Sequence, residues 1–275
     1  MSNSSSIRIH TGLEVRKMQI VATRLYELLR QLEDVPLLDA DCRTVEPFVR
    51  RYFQRFGLTS AMQAYRGYPS AVSICINEVA IHGIPGERRI QRGDILTVDI
   101  AARSDGFVGD TAWTYVTPGV SRKTAAFNRD AWRAFRRTVV ALGPGMSVRD
   151  IGSVAVDAAS QFGLSIVPEF VGHGIGRELH EPPAIPFHKQ ENGGEFDEII
   201  IRPGMILNIE PVYSAGDNRV ELLEDGVGYR LVDGSMSAHF ELSLAVTRKG
   251  ATVLQLGGVP ADELPRDVPF GTIRH

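Results

Sequence analysis

The chain has only two cysteines in 275 residues, Cys42 and Cys75. So low a number excludes a disulfide framework and every cysteine-rich zinc module. An excess of one charge is missing too. Lys and Arg total 30 against 33 Asp and Glu, the net charge is −3, and there is no long basic run. The electrostatic footprint of a nucleic-acid or anionic-membrane binder is therefore absent. No apolar stretch approaches the roughly 20 residues of a membrane span, and the opening Met-Ser-Asn-Ser-Ser-Ser has no apolar signal core. These absences predict a cytoplasmic enzyme or binding protein. The remainder, 43% hydrophobic and 23% charged, is that of a soluble globular chain, long enough for one large domain or two small ones.

One stretch organises the rest. Leu96-Thr97-Val98-Asp99-Ile100 places an acid in an apolar run, Ser104-Asp105-Gly106 is a turn signal, and the chain returns through Gly109-Asp110. If the two-residue loop is Ser104-Asp105, Asp99 and Asp110 stand directly opposite each other. If it is Asp105-Gly106, Asp110 faces Ala101, the same-face neighbour of Asp99. Either register puts both carboxylates on one face, roughly 5 Å apart at Cβ when opposed and roughly 7–8 Å when diagonal. Two anions so placed repel unless a cation or a shared proton lies between them.

Around this hairpin, Thr11-Gly-Leu-Glu14 reads as a capping box opening a helix that runs to Val35-Pro36, and a second helix covers about Cys42 to Phe56. Later helices are expected over roughly Thr124 to Leu142 and from the Ser147-Val-Arg-Asp150 cap to about Phe162. Strands are expected over Ser73 to Ile81, Ile166 to Val171, and around 205–213, 219–222, 227–232 and 239–247, with a loop over about 181–200. Residues 1–10 read as a flexible arm, 11–257 as one domain and 258–275 as an irregular tail.

Two halves of the sequence can be laid on each other. Each has a long helix, a shorter capped helix and a strand ending in His-Gly-Ile, at His82-Gly83-Ile84-Pro85 and at His173-Gly174-Ile175-Gly176. Gly93-Asp-Ile-Leu-Thr-Val-Asp99 then aligns without a gap on Gly204-Met-Ile-Leu-Asn-Ile-Glu210, and a further acid follows in each half, Asp110 and Glu241. We read this as an internal duplication. Halves packed about a pseudo-two-fold axis bring their equivalent acids together, which makes one shared site. An isolated strand acid is ordinarily solvated and an isolated histidine ordinarily packs, so the combination carries the inference. Asp99, Asp110, Glu210, Glu241 and His173 form a donor set rich in hard oxygen, suited to Mn²⁺, Fe²⁺ or Co²⁺ rather than to a structural Zn²⁺. Four converging negative charges call for more than one divalent ion.

These residues resemble a known family. Gly172-His173-Gly174-Ile175-Gly176-Arg177 with His180-Glu181, Asn77-Glu78 with His82-Gly83-Ile84-Pro85, the Asp99 to Asp110 spacing, Asn208-Ile209-Glu210-Pro211 and Glu241 together are similar to the signature of type I methionine aminopeptidases in their compact bacterial form. The match runs from about residue 11 to 250. It implies the α/β pita-bread fold, an antiparallel sheet from two pseudo-symmetric halves with helices on the outer face. It also implies removal of N-terminal methionine from peptides and nascent proteins when the second residue is small. By resemblance, Asp99 binds one metal, His173 and Glu210 the other, and Asp110 and Glu241 bridge. Glu210 shuttles the proton, His180 contacts the substrate carbonyl oxygen and His82 the scissile nitrogen or leaving group. The implied cofactors are two divalent ions, Co, Mn or Fe. The implied partners are peptide N-termini and the ribosome, with no nucleic acid, no membrane and a monomeric state.

The substrate pocket implied by the resemblance contains Met62, Tyr65, Tyr68, Ser73 and Val227, and here the chain departs from the family. Ser73 and Met62 stand where cysteines are common, Val227 where a tryptophan is usual, Leu242 where histidine is frequent and His239 where glutamine is. None of these positions is an implied metal ligand, so the departures bear on methionine preference rather than on hydrolysis. Two other readings remain: a paralogue with a different substrate, such as a proline-type dipeptidase or peptide-processing enzyme, and a non-catalytic pita-bread binding protein. The full set of ligands and both auxiliary histidines weighs against the last.

Overall fold

Thr11 starts the first helix, α1 (Gly12–Gln31). Its hydroxyl accepts from the Glu14 N–H, and the Glu14 carboxylate accepts from the Thr11 N–H at 2.9 Å, the expected capping box. This computed structural model describes residues 7–189, 196 and 199–275. Residues 1–6 of the expected arm, and 190–195, 197 and 198 of the expected 181–200 loop, lie outside the described residues. The chain continues through α2 (Val45–Phe56), β1 (Thr59–Ser60), β2 (Ser73–Ile76), β3 (Val79–Ile81), β4 (Ile95–Ser104) and β5 (Phe107–Val116). After α3 (Arg122–Ala141), α4 (Val148–Ser160) opens on a second capping box, Ser147 with Asp150. Then come β6 (Ser165–Ile166), β7 (Val171–Gly174), β8 (Glu181–Pro186), β9 (Ile206–Ile209), β10 (Val212–Ser214), β11 (Val220–Leu222), β12 (Tyr229–Leu231), β13 (Ser237–His239), β14 (Leu242–Thr247), β15 (Gly250–Val253) and β16 (Val259–Pro260).

The pairings are antiparallel. In one sheet β4 lies between β5 on one side and β1 and β2 on the other. A second sheet runs β16-β15-β14-β9-β7-β8, and two small ones run β13-β10-β6 and β11-β12-β3. The β4–β5 register settles the two sequence alternatives. Ser104 pairs with Phe107, so the loop is Asp105-Gly106, and Asp110 faces Ala101 while Asp99 faces Ala112. Asp105 and Gly106 both take positive φ, 49° and 77°. That is the primed turn whose twist matches the strands.

Side-chain alternation then divides this hairpin. Leu96, Val98 and Ile100 of β4, with Trp113 and Tyr115 of β5, bury against Val21, Leu25 and Leu29 of α1 in the main core. Thr97, Asp99, Asp110, Ala112 and Thr114 occupy the opposite face. Here the Thr97 and Thr114 hydroxyls share a hydrogen bond of 2.9 Å. Helices cover the outer sides: α1 packs on β4 and β5, α3 on β5, β13 and β15, and α4 on β8. Beyond Gly257 come β16 and an irregular run whose Phe270 ring stacks on Trp113, centroids 4.2 Å apart. Such a stacked pair contributes on the order of 1 kcal/mol beyond its buried area.

Several expected strands are interrupted. The 73–81 strand divides at Asn77, which turns with φ 55°. The expected Ile166 to Val171 strand resolves into β6 and β7, with only their facing ends inside it. The 205–213 strand breaks at Glu210-Pro211, where proline has no N–H for a ladder. The 239–247 strand breaks at Phe240-Glu241. The expected 181–200 loop begins as β8, whose prolines are tolerated because β8 is an edge strand.

Candidate metal centre and active site

Each half of the chain delivers two acids. Asp99 and Asp110 come from β4 and β5. Glu210 follows β9 and Glu241 precedes β14, and the Leu242–Ile209 pairing sets them side by side. The Glu241 N–H donates to the Ala112 carbonyl at 3.0 Å, so the two sheets meet where the four acids are. His173 arrives on β7, paired with Asn208 of β9 and Ala184 of β8. The flanking glycines permit that approach: a Cβ on Gly172 would stand 2.4 Å from the Asn208 carbonyl oxygen, and one on Gly174 2.2 Å from that of Pro182.

His173 Nε2 lies 3.1 Å from Glu210 Oε1 and 3.8 Å from Asp110 Oδ2. Its Nδ1 donates to the Gly174 carbonyl at 2.9 Å, which leaves the Nε2 lone pair free. Asn208 Nδ2 donates to Glu241 Oε1 at 2.6 Å, and the Ser243 hydroxyl donates to Asn208 Oδ1, also at 2.6 Å. Gln255 Nε2 donates to the Asp110 carbonyl at 2.9 Å. The donors are thus held by a second layer of amides and hydroxyls.

The electrostatics are those of a site built for cations. Burial first, then the charges of Asp110 and Glu210, pushes the Asp99 carboxyl well above its ordinary range. Burial also raises Asp110, to about 7, although His173 works against it. Glu241 is raised by burial and by Asp110, Glu210 and Asp99. Burial pushes His173 down, but Glu210 and Asp110 outweigh it and leave the imidazole more basic than usual. Glu210 Oε1 and His239 Nε2 are buried without a hydrogen-bond partner. Unpartnered buried polar atoms beside three proton-hungry carboxylates fit divalent cations as the missing partner.

The two auxiliary histidines stand at the edge of the same cavity, of about 480 Å³, which Asp99, Asp110, His173, Glu210 and Glu241 also line. His180 Nδ1 pairs with the Tyr65 hydroxyl at 2.7 Å, and its ring centroid is 4.2 Å from that of His173. With Tyr65 donating, the proton of His180 sits on Nε2. His82 takes φ 58°, an uncommon backbone for a bulky residue. It is held there because the following Gly83 is pinned to β2, its carbonyl accepting from the Ile74 N–H at 2.9 Å.

Of the expected pocket residues, Met62, Tyr65, Tyr68 and Val227 line this cavity and Ser73 does not. Ser73 is buried on β2 against Cys75, oxygen to sulfur 3.7 Å. Arg66, Phe170, Leu179 and Tyr229 also line it and were not singled out from the sequence. His239 is the larger omission. The sequence reading counts it as a departure that is not itself an implied metal ligand, and its Nε2 lies 3.9 Å from Glu210 Oε2. It sits two residues before Glu241, a spacing that shares a strand face.

Known proteins resemble this chain. The profile of metallopeptidase family M24 matches residues 14–248. Methionine aminopeptidase A of Synechocystis sp. is 34% identical over 92% of this chain and 98% of its own length. The chain belongs to metallopeptidase family M24, among its methionine aminopeptidases. The crystal structure of methionine aminopeptidase from Thermotoga maritima superposes on this M24 chain with a TM-score of 0.86 at 33% identity, covering 91% of this chain and 99% of that one. An Xaa-Pro dipeptidase from Bacillus anthracis, 21% identical with a TM-score of 0.70 over 90% of this chain and 61% of its own, shares the fold. The expected α/β pita-bread architecture and the metalloexopeptidase class follow from this membership. Among the described residues, no helix is long and apolar enough to cross a membrane.

Proposed function

We propose that this M24 chain removes the N-terminal methionine from peptides and nascent proteins when the second residue is small. The observation that supports it is one cavity that joins an acidic cluster to an apolar wall of Met62, Tyr65, Tyr68, Phe170 and Val227. A thioether has no strong hydrogen-bonding group, so its recognition calls for an apolar recess. The carboxylates balance a free α-ammonium, which explains cleavage at an N-terminus alone.

On this reading Asp99, Asp110, His173, Glu210 and Glu241 hold two divalent ions, with Mn, Fe or Co suited to the oxygen-rich donors. Bound ions supply Lewis acidity and make water nucleophilic near neutral pH. The chain's own residues do the rest. Glu210 takes the proton of the attacking water and delivers it to the leaving amine. His180, with its proton on Nε2, donates to the carbonyl oxygen as negative charge develops there. His82 contacts the scissile nitrogen. The catalytic unit is residues 11–257, acting as a monomer in the cytoplasm on free N-termini, including those emerging from the ribosome.

The test is a peptide panel after chelation and reloading with Mn²⁺, Fe²⁺ or Co²⁺. Met-Ala-Ser is expected to release methionine, N-acetyl-Met-Ala-Ser is expected to be inert, and chelated protein is expected to be inactive. Preferred hydrolysis of Xaa-Pro dipeptides would favour the dipeptidase reading instead. Side-chain selectivity is a separate prediction. Val227 places a small side chain on the cavity wall. Apolar pockets discriminate by about 1–3 kcal/mol per methylene, and a widened rim sits at the low end. The ratio of kcat/KM for Met-Ala-Ser over Leu-Ala-Ser is expected near ~10, rising several-fold in Val227→Trp. A strict preference that the substitution leaves unchanged would show that Val227 does not set selectivity.

A further inference from the structure

We propose that His239 is a second imidazole ligand of the divalent-ion centre, a role that rests on the metallopeptidase reading above. His239 is 2% exposed, at the end of β13 where Val212 of β10 pairs with it. Its Nε2 is buried and has no hydrogen-bond partner. Leaving such an atom unpaired is costly, unless something else occupies its lone pair.

The surroundings say what that is. Nε2 is 3.9 Å from Glu210 Oε2, less than twice the roughly 2.1 Å of a metal–imidazole or metal–carboxylate bond. Ligand atoms of Glu210, His239 and Glu241 all lie within 4.8 Å of one another, as do those of Asp110, His173 and Glu241. Each trio holds one imidazole and two carboxylates, and Glu241 belongs to both. His173 anchors its Nδ1 on the Gly174 carbonyl, the tautomer that leaves Nε2 free for a metal. The two imidazoles face the two oxygens of one carboxylate: His173 Nε2 is 3.1 Å from Glu210 Oε1 and His239 Nε2 is 3.9 Å from Glu210 Oε2.

The consequence is a centre with more nitrogen than the oxygen-rich set read from the sequence. Nitrogen donors favour later first-row metals, so His239 tilts the site toward Co²⁺ and Fe²⁺ relative to Mn²⁺. The experiment is proton NMR of the Co²⁺-loaded full chain in H₂O, with histidine ring nitrogens labelled with ¹⁵N. Each ligated imidazole contributes one exchangeable, strongly shifted N–H resonance. Two such resonances are expected in the unaltered chain and one in His239→Gln. By calorimetry, Co²⁺ affinity is expected to fall at least ~10-fold in His239→Gln and Mn²⁺ affinity by less. The count in the unaltered chain is decisive even if the variant does not fold. A single resonance with stoichiometric Co²⁺ bound would overturn the role of His239 and leave the metallopeptidase reading standing. An unaltered chain that binds no Co²⁺ would overturn both.

Discussion

In metal-free protein the Asp110 carboxyl is expected to lose its contribution to stability as pH rises from about 4 to about 7, the reverse of what a salt-bridged carboxylate does. His180 and His239, each lowered to about 3 chiefly by desolvation, work in the opposite sense, so the comparison with Asp110→Asn isolates the effect. Asp110 carries the effect. Its carboxyl moves from an ordinary 3.8 to about 7 on folding, chiefly through burial, with Glu210 adding repulsion. Between those values the folded state holds a proton that the unfolded state has released. Stability then falls with rising pH, because the slope follows the protons bound when unfolded minus those bound when folded. About three pH units at about 1.4 kcal/mol each gives a loss on the order of 4 kcal/mol from Asp110 alone. Asp99 and Glu241 are displaced in the same direction. His173 has the same sign: its folded pKa is raised, so its contribution is present at low pH and lost as pH rises through that value.

Divalent ions reverse the slope. They bind the deprotonated carboxylates and neutral imidazole, so metal binding releases protons and strengthens with pH. Urea unfolding at pH 5 and pH 8, with chelator and with Mn²⁺, tests both halves. In chelator the midpoint of the unaltered chain relative to Asp110→Asn is expected to drop between pH 5 and pH 8, and in Mn²⁺ the midpoint of the unaltered chain is expected to rise. A relative midpoint that stays flat or climbs with pH would show that Asp110 does not hold a proton as its burial implies.

The same residues show what was legible in the sequence. The hairpin, the capping boxes at Thr11 and Ser147, and the pairing of Asp99 with Glu210 and Asp110 with Glu241 across the duplication rest on local chemistry and on period-2 alternation. Both survive folding because each is decided within a few residues. The strand breaks did not show, because they depend on neighbours. Nothing within 205–213 except Pro211 announces that the ladder stops at Glu210, and the interruption is what frees that carboxylate to turn toward His173. The proline-rich edge strand β8 was hidden for the opposite reason, since proline reads as loop unless the position is known to lie at a sheet edge. Ser73 pairs with the cavity-lining Asp99 on the next strand yet is itself buried against Cys75, and that depth is a tertiary quantity. His239 was legible in principle, two residues from Glu241, but its significance lies in its lack of a partner, which only packing reveals.

Replacing Glu210 with glutamine is expected to lower kcat by about 10²–10⁴ with at most a few-fold change in KM, the range for loss of a positioned general base. The substitution keeps shape and hydrogen-bonding reach but removes the proton acceptor. Glu210 is suited to that task by its place. Oε1 is buried and unpartnered 3.1 Å from His173 Nε2, and Oε2 faces His239. An amide there offers an N–H to one imidazole and cannot carry a proton from water to an amine. The variant also weakens one ion's hold, so turnover is to be measured at saturating Mn²⁺ with bound metal quantified on the same sample. A deficit that disappears when metal content is restored assigns Glu210 to metal binding alone. A deficit that persists at full occupancy, with KM nearly unchanged, is the signature of an interaction made only in the transition state. A kcat within about threefold of the unaltered chain would move the proton transfer to another group.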